Sequence, residues 1–381
     1  MLNHTLFLTL RVFSATGGIE KVCMVAGKAL HDLGMHQPAK TLAVFSMYDQ
    51  DAEVNEKYFP RSLFKGFGKN KLQFMIAAIQ KGRYCDQVIL SHANLLMAGF
   101  LIKWFSPNTK LVLIAHGIEV WSPLSSWKRH MIGKCDQILA VSNFTRQKLV
   151  SIHGIAENKI TVLNNCLDPF LEPPLLTGKS PELLKRYGLG ADNFVLLTIT
   201  RLASREQYKG YDNVLYALKL LKETNPGIRY LVAGKYDARE KQRLDKLVAD
   251  LALEQQVIFA GYIPDTELAA HYSIADCYIM PSKKEGFGIV FIEAMYYGKP
   301  VIGGNMDGSM DALDNGKLGI PVNPDSIQEI AGSIVKVMGD TTAFIPDRQL
   351  VMEKFGYLVY KEHLRELLTP GKSLLSSKGE T

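Results

Sequence analysis

Short apolar runs alternate with longer amphipathic segments along almost the whole chain. The short runs are typical of buried parallel strands, and the longer segments have the length of helices. In the first half, the pattern predicts strands at Thr5–Phe13, Thr41–Ser46, Gln87–Ser91, Lys110–Ala115, Gln137–Val141 and Ile160–Leu163. Between them it predicts helices at Glu20–Leu33, Leu72–Lys81 and Asn143–Ile152. This alternation indicates an α/β fold built on a parallel sheet.

The same alternation restarts after residue 180. It predicts strands at Phe194–Ile199, Arg229–Ala233, Val257–Ala260, Cys277–Met280 and Pro300–Ile302. The predicted helices are Tyr211–Glu223, Glu240–Leu251, Asp265–Ser273, Gly288–Tyr297 and Ser326–Met338. The second half therefore repeats the α/β character of the first.

Proline and glycine punctuation separates the two halves. Pro169, Pro173, Pro174 and Gly178 lie within one short stretch, which is typical of a linker. We therefore expect domains at 1–168 and 181–352 with a linker at 169–180. A C-terminal helix at 353–370 can return to the first domain, and the polar tail 371–381 is expected to be disordered.

Composition places the chain among soluble globular proteins. It has 381 residues, of which 47% are hydrophobic and 22% charged. The longest apolar run, Ala93–Phe105, contains Lys103 and is too short to span a bilayer. The N-terminus lacks the pattern of a secretory signal. The five cysteines are scattered without a Cys-x-x-Cys pair, so we expect free thiols and a cytoplasmic location.

Positive charge is concentrated in the first half of the chain. Residues 1–170 carry 19 lysines and arginines against 11 acidic residues, a net of +8, whereas the whole chain carries +6. A basic half can meet nucleic acid, an anionic membrane or a phosphorylated substrate. The densest basic stretch, residues 57–83, is interleaved with large apolar residues. It suits an interfacial helix on anionic lipid, or equally a helix whose apolar side faces its own core.

A loop between a predicted strand and a predicted helix carries two acidic residues. Glu285 lies in the loop after Met280, and Glu293 lies inside the following helix. Gly286 and Gly288 would leave backbone N–H groups accessible at the helix start, which favours a phosphate or a sugar hydroxyl. Two carboxylates at such a corner could accept hydrogen bonds from a polyol.

Basic residues follow the first strand of the second half. Arg201 and Lys209 lie just beyond the predicted strand Phe194–Ile199, at the carboxyl edge where open α/β sheets bind ligands. The two side chains could hold a diphosphate by charge-assisted hydrogen bonds. Alone this signal is weak, because basic residues are common in loops.

The first half offers weaker candidates. Gly17 and Gly18 follow the first strand but do not form the Gly-x-Gly-x-x-Gly dinucleotide motif. His116 ends a predicted strand and could bond a ligand hydroxyl or move a proton. Asp49 and Asp51 have the Asp-x-Asp spacing of some metal sites, yet they lie in a polar loop without other ligands, and we interpret them as incidental.

Together these motifs resemble the retaining glycosyltransferases of family 4, of the type that builds cell-surface polysaccharides. The sequence Glu-Gly-Phe-Gly-Ile-Val-Phe-Ile-Glu from Glu285 to Glu293 is similar to the family's Glu-x7-Glu signature. Further landmarks are Val232–Gly234, Phe259–Tyr262 and Ala275–Ser282 and, more loosely, Gly17–Gly18, His116–Gly117 and Val141–Phe144. The resemblance covers about residues 10 to 340. It implies the GT-B architecture, an α/β fold in which two facing Rossmann-like domains enclose a donor cleft.

The resemblance also implies a role for each motif. Arg201 and Lys209 would hold the diphosphate of a nucleotide-sugar donor, Glu285 the transferred sugar, and Glu293 the ribose. The remaining implied contacts are Gly17 and Gly18 to the diphosphate, His116 to the sugar, Gly261, Tyr262 and Ile263 to the base, and the backbone of Gly286, Phe287, Gly288, Ile289 and Val290 to sugar and phosphate. Neither a metal nor another cofactor is expected, since cationic side chains and helix dipoles can neutralise the leaving diphosphate.

Two departures from the family pattern qualify this interpretation. The usual Gly-Gly-x-x-Glu-like run after the signature helix is replaced by Asp307-Gly308-Ser309-Met310-Asp311, which bears on the sugar contacts. The usual Asn-Gly-Val-Asp at the domain junction reads Asn165-Cys166-Leu167-Asp168, a milder change.

Three functions remain open at the level of sequence. The first is hexose transfer to a saccharide, in particular a lipid-linked one, at the inner face of the cell membrane in polysaccharide or lipopolysaccharide synthesis. The second is transfer to a small soluble acceptor such as a sugar phosphate. A basic nucleic-acid-binding protein is the third, but the chain has no recognised reader motif and only modest charge.

Overall fold

The structure is a computed structural model that describes residues 4–35, 41–174 and 178–369. The expected tail at 371–381 and part of the expected linker, 175–177, lie outside the described residues. The chain divides into two compact units. The first runs to Pro169 and resumes at Tyr357, and the second is Phe170–Gly356.

Within the described residues, the first unit is built on a seven-stranded parallel sheet. Its strands are β1 His4–Thr9, β2 Thr41–Ser46, β3 Phe64–Gly66, β4 Gln87–Leu90, β5 Lys110–Ala115, β6 Gln137–Ala140 and β7 Ile160–Val162, in the order β3-β2-β1-β4-β5-β6-β7. The helices are α1 Gly18–Met35, α2 Lys71–Gly82, α3 Leu96–Phe105, α4 Ser126–Gly133 and α5 Asn143–His153. Leu6 and Leu8 of β1 share one core with Phe74 of α2, Ile102 of α3 and Ile132 of α4, so these helices cover one face of the sheet.

The second unit contains a six-stranded parallel sheet within the described residues. Its strands are β8 Phe194–Ile199, β9 Ile228–Ala233, β10 Val257–Gly261, β11 Cys277–Met280, β12 Val301–Gly304 and β13 Ile320–Val322, in the order β10-β9-β8-β11-β12-β13. Its helices are α6 Pro181–Arg186, α7 Tyr211–Leu221, α8 Ala238–Asp250, α9 Leu268–Ile274, α10 Ile289–Tyr296, α11 Ser309–Ala312, α12 Ile327–Gly339 and α13 Arg348–Phe355. β8 lies between β9 and β11, so the loops that follow these three strands meet at one edge.

The last described helix, α14 Tyr357–Leu368, belongs to the first unit. It packs against α1, where the Tyr357 hydroxyl donates to Asp32 at 2.7 Å. The Lys110 ammonium donates to the carbonyl of Leu367 at 3.2 Å. The described chain therefore returns from the second unit to the first at Tyr357.

The predicted strand Thr5–Phe13 is too long, because β1 ends at Thr9. Beyond that point the backbone N–H groups of Val12, Phe13 and Ser14 donate to the Asp49 carboxylate at 2.6, 3.4 and 2.9 Å instead of continuing the ladder. The Ser46 hydroxyl donates to the same carboxylate. Asp49 is thus fully occupied in shaping the turn that leads to Gly17.

Three elements of the first unit were not predicted: α3, α4 and the edge strand β3. In α3, Leu96–Phe105, almost every residue is apolar, so no polar side reveals a helical period. β3 has three residues, which is too few to show alternation. Among the described residues, no helix has the length and apolarity needed to cross a bilayer.

Candidate active site

The loop between β11 and α10 is the centre of the candidate site. It runs from Pro281 to Gly288, and Gly288 has a φ of +88° that starts the helix. A Cβ on Gly288 would lie 2.4 Å from the Phe291 ring, so only glycine fits this turn. Phe287 is buried and packs on Phe355, with ring centroids 5.6 Å apart. Its side chain anchors the loop, which leaves only its backbone for a ligand.

Glu285 forms an ion pair with Lys209, a residue 76 positions earlier in the chain. The two side chains are 18% and 16% exposed, so both are largely buried yet open to solvent at one end. Burial lowers the pKa of Lys209, but the adjacent Glu285 carboxylate outweighs it and leaves that pKa above its usual value. Lys209 therefore stays charged across the physiological range.

Glycine and backbone contacts bring the Lys209 loop onto the Glu285 loop. Lys209 ends a short 3-10 turn, and Gly210 follows it with a φ of +82°. A Cβ on Gly210 would lie 2.1 Å from the Pro281 carbonyl oxygen, so the loops could not approach with a larger residue. The N–H of Lys283 donates to the carbonyl of Tyr208 at 2.9 Å.

The other predicted donor residues of the second unit differ in accessibility. Arg201 is half exposed and pairs with Glu206 in its own loop at 3.1 Å. Glu293, on the second turn of α10, is 2% exposed and lies against the Tyr272 hydroxyl. Burial first, and then the Glu293 charge, raise the pKa of Tyr272 well above its usual value. Of the two acidic residues in the motif, Glu285 is the one that reaches solvent.

The residues expected near the base lie at the end of β10. Gly261 is its last residue and has a φ of +73°. Tyr262 is 48% exposed, and the Lys235 ammonium lies 4.6 Å from its ring centroid, whereas Ile263 is buried. β8, β10 and β11 belong to one parallel sheet, so Arg201, Lys209, Tyr262 and Glu285 all follow strand ends at the same edge. Parallel α/β sheets bind ligands at this edge.

In the first unit, His116 directly follows β5. Its Nε2 lies 2.6 Å from the carbonyl oxygen of Ser91, and since a carbonyl only accepts, Nε2 carries the proton. Burial lowers the pKa of His116 to about 4, so the ring is neutral at pH 7 and Nδ1 is a hydrogen-bond acceptor. The backbone N–H of His116 donates to the Glu119 carboxylate at 2.6 Å, which fixes the turn. Gly17 and Gly18 lie at the start of α1, and no atom outside the helix lies within 4 Å of a Cβ built on Gly18.

Comparison with known proteins decides the family. A model described as Glycosyltransferase Family 4 matches residues 16–169, and one described as Glycosyl transferases group 1 matches residues 180–354. The chain belongs to glycosyltransferase family 4. The two matches fall on the two units, and the signature Glu285–Glu293 lies in the second.

Relatives of this glycosyltransferase include two that are 30% identical to it. One is the GDP-mannose-dependent alpha-(1-6)-phosphatidylinositol monomannoside mannosyltransferase of Mycobacterium tuberculosis, over 62% of this chain and 66% of the relative. The other is the D-inositol 3-phosphate glycosyltransferase of Acidothermus cellulolyticus, over 55% of this chain and 48% of the relative. The chain thus matches less than two thirds of each relative's own length.

Solved structures share the fold over nearly the whole chain. Anabaena Alr3699/HepE in complex with UDP and glucose matches with a TM-score of 0.78 and 21% identity, covering 96% of this chain and 99% of that one. The lipopolysaccharide outer core galactosyltransferase WaaB matches with a TM-score of 0.68 and 17% identity, covering 95% and 98%. The fold of this glycosyltransferase is therefore GT-B, with two Rossmann-like domains.

Asp307 contacts the Glu285 loop, although no sequence motif assigns it a role. It lies after β12, is 2% exposed, and accepts a hydrogen bond from the Glu285 N–H at 2.6 Å. Burial raises its pKa to about 6. The sequence carried one signal, the replacement of the usual family run by Asp307–Asp311, but a sequence cannot show that residues 22 positions apart are bonded.

Proposed function

We propose that this glycosyltransferase moves a hexose from a nucleotide-diphosphate sugar to a saccharide acceptor, with retention at the anomeric carbon and without a metal. The observation that carries the proposal is the Lys209–Glu285 pair, which lies at the carboxyl edge of the second sheet. One member offers positive charge to a diphosphate, and the other offers a hydrogen-bond acceptor to sugar hydroxyls.

Lys209 and Arg201 are the proposed diphosphate contacts. The N-terminal N–H groups of α10, which begins at Ile289, add partial positive charge beside the Gly286–Gly288 backbone. Fixed cations and dipoles of this kind stabilise the charge that develops on a leaving diphosphate. Within the described residues, no group of three or more His, Cys, Asp or Glu side chains is arranged to hold a metal ion.

We assign the remaining donor contacts as the family resemblance implies them. Glu285 would accept hydrogen bonds from hydroxyls of the transferred hexose, and Tyr262 would support the base. The resemblance assigns Glu293 to the ribose, although this residue is 2% exposed and lies against Tyr272 in this structure. For the first unit, we assign the Gly17–Gly18 turn to the diphosphate and the unprotonated Nδ1 of His116 to a sugar hydroxyl.

The proposed reaction proceeds on one face of the sugar. The bond between the anomeric carbon and the diphosphate oxygen breaks, and the acceptor oxygen bonds to the same face of that carbon through an oxocarbenium-like state. The acceptor proton passes to the departing phosphate oxygen. This route needs no side-chain base, which agrees with a neutral His116 that accepts a hydrogen bond.

We further propose that the acceptor is lipid-linked and that the enzyme works at the inner face of the membrane. The aromatic residues of the basic stretch 57–83 do not support this role, because Tyr58, Phe59, Phe64, Phe67 and Phe74 are buried in the first unit. Support comes instead from the starts of three neighbouring helices. Leu72 of α2, Met97 of α3 and Trp127 of α4 are exposed there.

These three residues, with the exposed Lys69, Lys71 and Arg129 beside them, form what we call the helix-start surface. All three helices follow parallel strands, and α3 packs on both α2 and α4, so their starts share one edge of the sheet. Exposed apolar side chains mixed with basic ones suit an anionic lipid surface. A soluble acceptor would not need this apolar surface.

Two substitutions test the donor site. We expect Lys209→Ala and Glu285→Ala each to lower turnover of the accepted nucleotide sugar by about 10² or more, the effect of losing one charge-stabilising contact. Lys246→Ala is the matched control, since Lys246 pairs with Asp250 on an exposed face of α8. Release of nucleoside diphosphate from UDP-glucose and GDP-mannose is the measurement. Near wild-type turnover in both site variants would contradict the proposal.

A further inference from the structure

The segment after β12 holds the Glu285 loop from one side. The Asp307 carboxylate accepts from the Ser282 hydroxyl at 2.8 Å and from the Glu285 N–H at 2.6 Å through the same oxygen. Its other oxygen accepts from the Ser309 N–H at 2.9 Å. One buried side chain therefore ties the two segments together.

The backbone N–H and the backbone carbonyl of Glu285 are both hydrogen-bonded to the segment after β12. Its N–H donates to Asp307, and its carbonyl accepts from the Gly308 N–H at 2.9 Å. Together these bonds fix the position and direction of the Glu285 backbone. The Glu285 side chain can then pair with Lys209 without a search through loop conformations.

Glycines allow the close approach that these bonds need. A Cβ on Gly308 would lie 2.0 Å from the Gly286 carbonyl oxygen. A Cβ on Gly304, at the end of β12, would lie 2.0 Å from the carbonyl oxygen of Ser282. Backbone atoms cannot move aside as flexible side chains can, so the two segments are matched in shape along their length.

We propose that Asp307 is a positioning residue for Glu285, holding the sugar-binding carboxylate in its productive place through the Glu285 N–H. This role rests on the proposed function, in which Glu285 bonds the transferred hexose. The proposal gives a function to Asp307, the first residue of the run that departs from the family pattern. Asp307 acts through Glu285 and has no assigned contact with the donor itself.

Asp307→Asn tests the role. The amide presents only one accepting atom, so either the Glu285 N–H or the Ser309 N–H would face an NH₂ group. We expect kcat on UDP-glucose or GDP-mannose, whichever the wild type accepts, to fall about 10- to 100-fold, as for a reacting group displaced by a fraction of an ångström or more. The affinity for the free nucleoside diphosphate should stay within about threefold, because Glu285 is assigned to the sugar.

Two further variants keep the test decisive. Gly308→Ala should also lower kcat, since its Cβ would lie 2.0 Å from the Gly286 carbonyl oxygen and push the Glu285 loop away without altering the Asp307 carboxylate. Asp340→Asn is the matched control, because the Asp340 carboxylate bonds Thr342 and the Ala343 N–H at an exposed turn. It should leave kcat unchanged.

The outcomes separate the two claims. If the wild type turns over the donor and the kcat of Asp307→Asn lies within threefold of the wild-type value, the positioning role alone is overturned. A joint loss of nucleotide affinity and kcat in both Asp307→Asn and Gly308→Ala would also overturn it, because the segment would then serve only the fold. A wild-type protein that binds neither UDP nor GDP would overturn the proposed function and this role with it.

Discussion

At the scale of single residues, the site depends on charges that are buried but paired. Lys209 and Glu285 compensate each other, and the Asp307 carboxylate is compensated by hydrogen-bond donors and not by a cation. A buried carboxylate without a cationic partner favours its protonated form. This explains why the pKa of Asp307 is raised to about 6 although four hydrogen-bond donors surround its carboxylate.

The raised pKa predicts how stability changes with pH. The folded state favours protonated Asp307, so its contribution to the unfolding free energy is fully present below the unfolded pKa near 4 and is lost as pH rises through about 6. Between pH 4 and 7, wild type should therefore lose about 2–3 kcal/mol of unfolding free energy relative to Asp307→Asn. Urea denaturation of both proteins across this range measures the difference. A difference that is constant with pH would show that burial does not shift this carboxyl group.

Site residues that follow strands could be predicted from the sequence, whereas residues that hold loops in place could not. Lys209 and Glu285 could be placed at one edge because each follows a predicted parallel strand, and the structure places them in contact. The burial of Glu293 among tyrosines could not be foreseen, since it depends on how α10 packs. Asp307 and Asp49 were missed for a related reason: their partners are backbone N–H groups and serine hydroxyls, which occur throughout the chain.

At the scale of elements, the strands were predicted better than the helices. β2, β5, β8 and β11 have the predicted bounds, because buried parallel strands are apolar along their whole length and end sharply at polar loops. Helix α3 was missed because it is apolar on nearly every side. Its exposed residues are nevertheless informative, since Met97 lies at its start and Trp104 at its end.

The helix-start surface predicts binding to anionic vesicles. We expect wild type to float with vesicles of phosphatidylcholine and phosphatidylglycerol and not with phosphatidylcholine alone. Leu72→Ser/Trp127→Ser should weaken this binding at least tenfold, because each large apolar side chain removed from an interface is worth roughly 1.5–3 kcal/mol. Trp104→Ser is the matched control. Trp104 is 71% exposed, but at the opposite end of α3.

Two results of the flotation experiment would contradict membrane docking through this surface. One is an absence of wild-type binding to the anionic vesicles, which would favour a soluble acceptor. The other is an equal loss of binding in Trp104→Ser and in the double variant, which would show that general surface hydrophobicity and not this edge is responsible.

At the scale of the whole molecule, each unit is an α/β domain with its own core and its own share of the charge. The first half of the chain is basic, with a net of +8, and the remainder is slightly acidic. The alternation of strands and helices predicted two α/β halves with parallel sheets, and the family resemblance implied that each is Rossmann-like. A returning C-terminal helix at 353–370 could be expected from the sequence, but the contact between Tyr357 and Asp32 could not, since these residues are 325 positions apart.

The proposed function requires the second unit to bind a nucleoside diphosphate through cationic side chains without a metal. The most direct test is a thermal-shift titration of the full chain with UDP, GDP and ADP, each with and without EDTA. Binding to the folded state raises Tm by mass action. A nucleotide concentration a hundredfold above Kd adds about 2.7 kcal/mol to the unfolding free energy. We predict a clear rise in Tm with one nucleoside diphosphate that EDTA leaves unchanged. No rise with any of the three, or a rise that EDTA abolishes, would contradict the account.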